Sequence, residues 1–357
     1  MSVTPCGFAR TPGKGLARLH WAGAGWAVDG RPPDVSELRP LRGLEIEWPD
    51  ARVPLDGLLA LAAAGVPMTA DRAAPWVPGD LAAVLTDRDW LGHAADGTAR
   101  SVADLRREEH SVRLRRLAHP AATPQVSIVM ASKRPGLVGT ALAQMERQRD
   151  VAAEVLLGLH GVAFEQVRAA VESCSLPVRW VEAPASVPFG EVLNRAAGLA
   201  SGDCLVKWDD DDWYGPRHLA DLFMALSYAG ADVVGTTAEF FYLEPLKATI
   251  RRTTFASGAS YPSEVWADHV AGGTIMIPLA KFREIGGFPG LPRAVDLEFL
   301  KAAKKAEARI YRTHGLGYVL RRGLSGDHTW QLPLAHFVKV AANQWRGFRP
   351  SLLMEAA

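Results

Sequence analysis

The chain has 357 residues, of which 48% are hydrophobic and 22% are charged, and its formal net charge is +1. This length and composition are typical of a globular protein whose core needs neither disulfides nor metals for stability. A net charge so close to zero excludes a general electrostatic attraction to nucleic acid. We therefore expect no nucleic-acid partner, and a site for a polyanion has to be built locally.

The three cysteines, Cys6, Cys174 and Cys204, are far apart and show no CxxC spacing. They indicate neither a disulfide framework nor a structural zinc site, and reduced thiols suit the cytoplasm. The N-terminus lacks a basic segment followed by an apolar run, and no apolar stretch reaches the ~20 residues of a membrane helix. We expect a soluble, cytoplasmic protein with no transmembrane segment.

Residues 1–120 combine many prolines and glycines with short apolar runs. Their patterns predict one strand and three helices, at 44–48, 55–64, 81–85 and 99–119. The last helix carries several arginines, but the interleaved Glu108 and Glu109 favour a solvated face. We predict a small α+β accessory region here, with acceptor binding, packing and oligomer formation all open as roles.

From residue 124 onwards, strands alternate with helices. The predicted elements are strands at 126–130, 154–159, 178–181 and 204–208, and helices at 137–147, 164–173 and 191–200. This alternation predicts βαβ units and a largely parallel sheet. Ligands of such sheets bind outside the carboxyl ends of the strands, which here means the residues after Met130, Leu159 and Trp208.

Four adjacent carboxylates, Asp209 to Asp212, follow the last of these strands and lie between Trp208 and Trp213. In extended chain Asp209 and Asp211 point the same way. Packed anions repel one another unless a cation offsets them, and oxygen ligands suit Mg²⁺ or Mn²⁺ in contact with substrate phosphates. A solvated acidic turn is the alternative, although such a turn rarely needs four aspartates between two tryptophans.

With these residues in view, the chain resembles the GT-A glycosyltransferases, and within them family 2, over residues 124–330. These four carboxylates, Asp209 to Asp212, form an acid run that is similar to their DxD motif. Three more segments resemble family landmarks in order: the nucleotide-contacting loop at 131–135, the helix leading into the DxD strand at 194–203, and a later acidic segment at 286–296. The resemblance implies an α/β fold with a mixed, largely parallel sheet flanked by helices and a Rossmann-like nucleotide-binding half.

The resemblance also implies an activity, that of a metal-dependent, hexosyltransferase-like enzyme of class EC 2.4. Such an enzyme moves a sugar from a nucleotide-diphosphate sugar to a hydroxyl acceptor, with inversion. Asp211, with Asp212 nearby, would hold Mn²⁺ or Mg²⁺, which stabilises the diphosphate leaving group. Asp209 would face the ribose or the metal. Further contacts to the nucleotide sugar are implied for Ser132, Lys133, Arg134, Asn194 and Asp210.

Asp296 is the candidate general base, which would take the proton of the acceptor hydroxyl. The family has an acidic residue just before this position, whereas this chain has Val295. Asp296 also opens a predicted helix, where a carboxylate is a good cap, and the two roles are compatible. Glu298 is the second candidate for the base. An exposed basic turn remains the alternative for Lys133 and Arg134.

His328 and the Gly273–Thr274 pair complete the predicted site. A late histidine in related transferases can complete the metal shell, and imidazole suits Mn²⁺; a loop histidine beside Trp330 is the alternative. Gly273 permits close approach of the donor or acceptor sugar, with a bulge at a strand entry as the alternative.

Two features depart from the family pattern or lie outside it. His160 replaces the acidic residue that usually contacts the nucleobase, so either His160 hydrogen-bonds the base itself or the donor is not a uridine nucleotide. Residues 331–357 are predicted to form an amphipathic helical tail that packs on the core, with peripheral membrane contact as the alternative. The acceptor, whether a saccharide, a lipid-linked molecule or a small molecule, is not encoded in a recognisable motif.

Two competing functions remain. A nucleotidyltransferase usually has a Gly-rich phosphate loop after its first strand, but residues 131–136 contain only one glycine. A catalytically silent GT-A domain that binds carbohydrate or a partner protein is the other alternative. The intact acid run and Asp296 favour the active enzyme.

Overall fold

The computed structural model describes residues 4–92, 102–119, 123–255, 257–323 and 333–354. The chain forms two compact units, Met1–Pro120 and Ala121–Ala357. No helix among the described residues is long and apolar enough to span a lipid bilayer.

The first unit is a four-stranded sheet covered by helices. Its elements are β1 (Lys14–Trp21), β2 (Trp26–Val28), α1 (Val35–Leu38), β3 (Leu41–Glu47), α2 (Asp56–Ala63), β4 (Met68–Thr69), α3 (Gly79–Leu85) and α4 (Val102–Ala118). The strand order is β2-β1-β3-β4, with β1 parallel to β3. The core includes Leu19, Leu44, Leu58 and Leu85, which are fully buried. The strand at 44–48 and the three predicted helices are present.

The charged helix α4 is buried rather than solvated, which corrects the sequence-based prediction. Arg107 is only 2% exposed and donates hydrogen bonds to the carbonyls of Ala9 at 2.6 Å and Leu41 at 3.0 Å. Glu108 is 1% exposed and pairs with Arg10 at 3.6 Å. Alternating charges predict a solvated face only when nothing else satisfies them, and here backbone carbonyls and opposite charges do so.

The second unit begins with the predicted alternation. Its first elements are β5 (Gln125–Ser132), α5 (Pro135–Glu146), β6 (Ala152–His160), α6 (Arg168–Ser173), β7 (Val178–Ala183), α7 (Phe189–Ala197) and β8 (Cys204–Lys207). Strands β8, β5, β6 and β7 are neighbours in that order and all pair in parallel. This half confirms the predicted βαβ units.

The later elements were not predicted in detail. They are β9 (Trp213–Tyr214), α8 (His218–Ala229), β10 (Val233–Thr236), β11 (Phe240–Leu243), β12 (Ala248–Arg251), β13 (Val265–Trp266), β14 (Met276–Pro278), α9 (Leu279–Ile285), α10 (Val295–Lys305), β15 (Ile310–Thr313), β16 (Tyr318–Arg322), α11 (Leu334–Lys339) and β17 (Asn343–Arg346). The large sheet has the order β13-β15-β10-β14-β8-β5-β6-β7, and β14 runs antiparallel to both of its neighbours. The fold is therefore the predicted α/β class, with a mixed, largely parallel sheet flanked by helices.

A second sheet of five strands has the order β17-β12-β11-β16-β9. Strand β9 directly follows the acid run and pairs with β16, so this sheet fixes the far end of that run. The predicted helical tail is only partly helical, because Asn343–Arg346 forms an antiparallel strand on β12. Amphipathic spacing alone did not show that β12 has an open edge whose backbone groups need partners.

Candidate functional site

The carboxyl ends of β5, β6 and β8 lie at one edge of the large sheet, as parallel pairing requires. Ser132 at the end of β5 is opposite Leu159 of β6, and Val129 is opposite Lys207 at the end of β8. The acid run after β8 therefore meets the loop after β5, where the Ser132 hydroxyl donates a hydrogen bond to Asp210.

Arg134 lies across the acid run. Its guanidinium donates to Asp210 and Asp211, the latter at 3.0 Å, and its backbone N–H donates to the Ser132 hydroxyl at 3.0 Å. Burial raises the pKa of Asp210, and the adjacent Arg134 charge opposes that rise. Two residues of the predicted nucleotide loop thus contact the acid run, whereas Lys133 is exposed.

A buried lysine joins the acid run to the predicted general base. Lys207 is 2% exposed, and its Nζ lies 2.5 Å from Asp209 Oδ1 and 3.2 Å from Asp296 Oδ1. Asp296 reaches this point from the first turn of α10 and keeps 35% of its side chain exposed. Burial raises the pKa of Asp296, with Lys207 opposing the rise and Asp209 adding to it.

Two glycines form the opposite wall of this cluster. A Cβ atom on Gly272 would lie 2.2 Å from Asp296 Oδ2, and one on Gly273 would lie 2.6 Å from Asp209 Oδ2. The Tyr214 hydroxyl holds the wall in place, since it donates to the Gly273 carbonyl at 3.0 Å and accepts from the Asp209 N–H at 2.9 Å. Gly273 therefore lies at the predicted site, and any larger residue would displace the carboxylates.

Asp212 points away from Asp209, towards the second sheet. It is 3% exposed, accepts a hydrogen bond from the Tyr318 hydroxyl and accepts another from the backbone N–H of Arg321 at 3.0 Å. Burial, with repulsion from Asp211 next, raises the pKa of Asp212 to about 7. These contacts anchor the end of the acid run, and the role of Asp212 as a metal ligand stays a prediction.

Two residues predicted to contact the nucleotide sugar make hydrogen bonds to backbone groups. Asn194 donates to the Phe288 carbonyl at 2.7 Å and accepts from the Phe288 N–H at 2.8 Å. Thr274 is fully buried, and its hydroxyl donates to the Ala271 carbonyl at 2.8 Å and accepts from the Thr236 N–H at 2.9 Å. These hydrogen bonds brace the loop after α9 and the turn before β14, and the predicted contacts of both residues with a nucleotide sugar stay predictions.

The remaining predicted residues lie at the edge of the site or elsewhere. His160 ends β6, and its Nε2 lies 3.2 Å from the Ala185 carbonyl. Glu298 pairs with Lys301 at 2.7 Å along α10. His328 lies outside the described residues.

Carboxylate oxygens are the ligands that Mg²⁺ and Mn²⁺ prefer, and the acid run supplies several. With the side chains as they lie, Arg134 contacts Asp210 and Asp211 while Lys207 contacts Asp209. Within the described ranges, no group of three or more His, Cys, Asp or Glu side chains is arranged to hold a metal ion. A hard cation that binds one or two protein carboxylates and completes its shell with substrate phosphates still fits Asp211.

The sequence-based prediction missed three residues of the cluster, Lys207, Tyr214 and Tyr318. Lys207 had a detectable signal: it ends an otherwise apolar strand, and a lysine at a buried position requires a charged partner. The two tyrosines had no such signal, because their hydroxyl contacts depend on the pairing of β9 with β16.

No known family model matches this sequence. A segment of 92 residues, 24% of the chain, is 36% identical to an uncharacterized glycosyltransferase, YwdF, from Bacillus subtilis. The matched segment covers 34% of that relative, so the chain spans about a third of the relative's length.

Solved structures with a similar fold include two complexes with nucleotide sugars. One is the mannosyltransferase PcManGT from Pyrobaculum calidifontis with GDP-Man and Mn²⁺, at a TM-score of 0.45 and 18% identity over 58% of this chain and 59% of that one. The other is S. aureus TarS 1-349 with UDP-GlcNAc, at a TM-score of 0.45 and 17% identity over 61% of this chain and 64% of that one. These likenesses concern the fold alone. The activity of this chain has to be argued from the geometry of its own site.

Proposed function

We propose that this protein is a GT-A glycosyltransferase, similar to family 2, that transfers a sugar from a nucleotide-diphosphate sugar to a hydroxyl acceptor. One observation carries the proposal. Asp209 of the acid run and Asp296 of α10 are far apart in the sequence, yet both contact Lys207 at the carboxyl edge of the sheet. That edge is where nucleotide ligands bind in α/β sheets.

The donor would bind where the loop after β5 meets the acid run. Arg134 is one-quarter exposed beside Asp210 and Asp211, so its guanidinium can turn towards a diphosphate without leaving the site. A planar guanidinium matches two phosphate oxygens at once. Ser132 would hold the loop through its contacts with Asp210 and the Arg134 N–H.

The metal, Mn²⁺ or Mg²⁺, would be held by Asp211 and would supply positive charge that stabilises the departing diphosphate. Asp212 would act on this segment indirectly. Its hydrogen bonds from Tyr318 and Arg321 fix the chain just after Asp211, so that the Asp211 carboxylate keeps its direction.

Asp296 would act as general base. Its side chain is about one-third exposed, so an acceptor hydroxyl can approach it. In the transfer, the acceptor oxygen forms a bond to the anomeric carbon while the bond from that carbon to the diphosphate breaks. The acceptor proton passes to Asp296, and the nucleoside diphosphate leaves with the bonding electrons. A single displacement of this kind inverts the anomeric configuration.

The 36% identity with a protein named as a glycosyltransferase supports this proposal over 92 residues. The direct test is to incubate the protein with a panel of nucleotide sugars and Mn²⁺ and to measure release of the nucleoside diphosphate. We expect release from one donor class, rising when simple sugar acceptors are added. No release from any donor, with nucleotide binding absent as well, would favour a catalytically silent domain.

A further inference from the structure

Lys207 occupies an unusual place for a charged residue. It is the last residue of β8, a central strand that pairs with β5 on one side and β14 on the other. All four residues of this strand are buried, and Lys207 itself is 2% exposed. An apolar side chain of similar size often stabilises a core at least as well as a buried ion pair, so stability alone is a weak reason for the charge.

Each carboxylate beside Lys207 is held from two sides. The Oδ1 atoms of Asp209 and Asp296 face the ammonium at 2.5 Å and 3.2 Å. Their Oδ2 atoms face the backbone of Gly273 and Gly272, where no side chain would fit. The two carboxylates would repel each other without the cation, so Lys207 determines how far apart they stand.

We propose that Lys207 is a positioning residue for sugar transfer, which fixes Asp296 on the acceptor side relative to Asp209 on the donor side. This inference rests on the proposed function. The Lys207 charge lies beside Asp296 Oδ1 and the glycine wall lies against Oδ2, so together they restrict the orientation of the Asp296 carboxylate. Proton transfer to a base requires such alignment, because the hydroxyl oxygen and the carboxylate must approach within about 3 Å.

The test compares Lys207→Met, which keeps the length of the side chain and removes the charge, with Lys207→Gln, which keeps a hydrogen-bond donor. Each change is made in the wild-type chain and in Asp296→Asn. We expect Lys207→Met to lower kcat about 100-fold in the wild type and less than about 3-fold in Asp296→Asn, because residues that act as a unit are not additive. The KM of the donor should change far less than kcat.

If Lys207 has a purely structural role, we expect a different result. Its loss would lower kcat by the same factor in both backgrounds, and that result would overturn the inference. Full activity of Lys207→Met would overturn it as well. If Lys207→Met does not fold, Lys207→Gln provides the same comparison. Failure of both variants to fold would show that Lys207 has a structural role and would overturn the inference.

Different results would contradict the proposed function and the proposed role of Lys207. A wild-type protein that releases nucleoside diphosphate from no nucleotide sugar removes the proposed function itself. An active wild type with equally active Lys207 variants leaves the function in place and removes the role of Lys207.

Discussion

The two units of this protein both bury charged side chains, but they balance them differently. In the first unit, Arg107 donates to backbone carbonyls and Glu108 pairs with Arg10, so each buried charge has a nearby partner. In the second unit, five carboxylates gather around the end of β8, namely Asp209, Asp210, Asp211, Asp212 and Asp296. Within the described part of the chain, the cations in contact with them are fewer: Lys207, Arg134 and Arg322.

The difference separates structural charges from functional ones. Balanced charges on α4 hold loops and strands together and need no ligand. Burial, and after it repulsion from Asp211, raises the pKa of Asp212 to about 7, and a cationic ligand would relieve the repulsion. Buried charge on its own is therefore a poor guide to a site, whereas an excess of one sign at the carboxyl edge of a sheet is a better one.

The largest expected effect is on the stability of the first unit. Arg107→Met should destabilise this unit by about 3–5 kcal/mol, since the backbone carbonyls that it satisfies would be left buried without a donor. Arg18→Met is the matched control, because Arg18 is 77% exposed in its pair with Glu47. Its effect should stay below about 1 kcal/mol. Urea unfolding combined with hydrogen exchange of α4 measures both, and equal effects would contradict the structural role of Arg107.

Removal of the proposed base, Asp296, tests the role of the carboxylates in the second unit. Asp296→Asn should lower turnover by about 10²-fold or more while leaving nucleotide affinity near that of the wild type. Glu298→Gln on the same helix is the control and should retain most activity, since Glu298 pairs with Lys301. Steady-state kinetics of nucleotide release decides between the two carboxylates. Loss of activity in Glu298→Gln alone would move the base to that residue.

A buried histidine makes the first unit sensitive to acid. Burial lowers the pKa of His110 to about 4, although Asp87 favours its charged form. In the unfolded chain the pKa is about 6.5, so between these values the unfolded state binds more protons. Stability should fall by about 2–3 kcal/mol as the pH drops from 7 to 4.

His110→Gln removes the titrating imidazole and should therefore flatten this dependence. The amide can still donate to the Met68 carbonyl, which His110 Nε2 approaches at 2.7 Å, so this hydrogen bond is kept. Hydrogen exchange of α4 at pH 7 and pH 4.5, corrected for intrinsic rates, measures the change. An unaltered pH dependence in the variant would mean that other groups cause it.

The smallest effect concerns the glycine wall. Gly272→Ala should lower turnover about 10-fold, which corresponds to about 1.4 kcal/mol, because the new Cβ would push Asp296 from its place beside Lys207. Gly290→Ala is the control, since nothing lies within 4 Å of its added Cβ. The two variants should unfold at similar urea concentrations, and equal turnover in both would show that Asp296 tolerates displacement.

The sequence was sufficient to predict the parallel half of the fold and to locate the two acidic segments that meet in it. Strong alternation of apolar strands and amphipathic helices is a local signal, and it predicted β5 to β8 within a few residues. The strands after the acid run are short and pair with distant partners, so local periodicity did not predict them.

Three of the predicted site residues have contacts that the sequence did not show. Asn194 and Thr274 were placed at the site by their position in a motif, but their hydrogen bonds go to backbone groups of adjacent loops. Asp212 belongs to the acid run, yet Tyr318 and the Arg321 N–H hold it. Sequence order locates a site to within a few residues, whereas the direction of each side chain depends on tertiary contacts.

The most direct test of the central claim is calorimetric titration of UDP, GDP, ADP, CMP and dTDP, with and without Mn²⁺, into the wild type and Asp211→Asn. Asp268→Asn is the control, because Asp268 is 75% exposed in a surface pair with Lys304. We expect that one nucleotide binds only with the metal, that Asp211→Asn abolishes this binding and that Asp268→Asn preserves it. Binding that depends on neither Mn²⁺ nor Asp211, or no binding by any nucleotide, would contradict it.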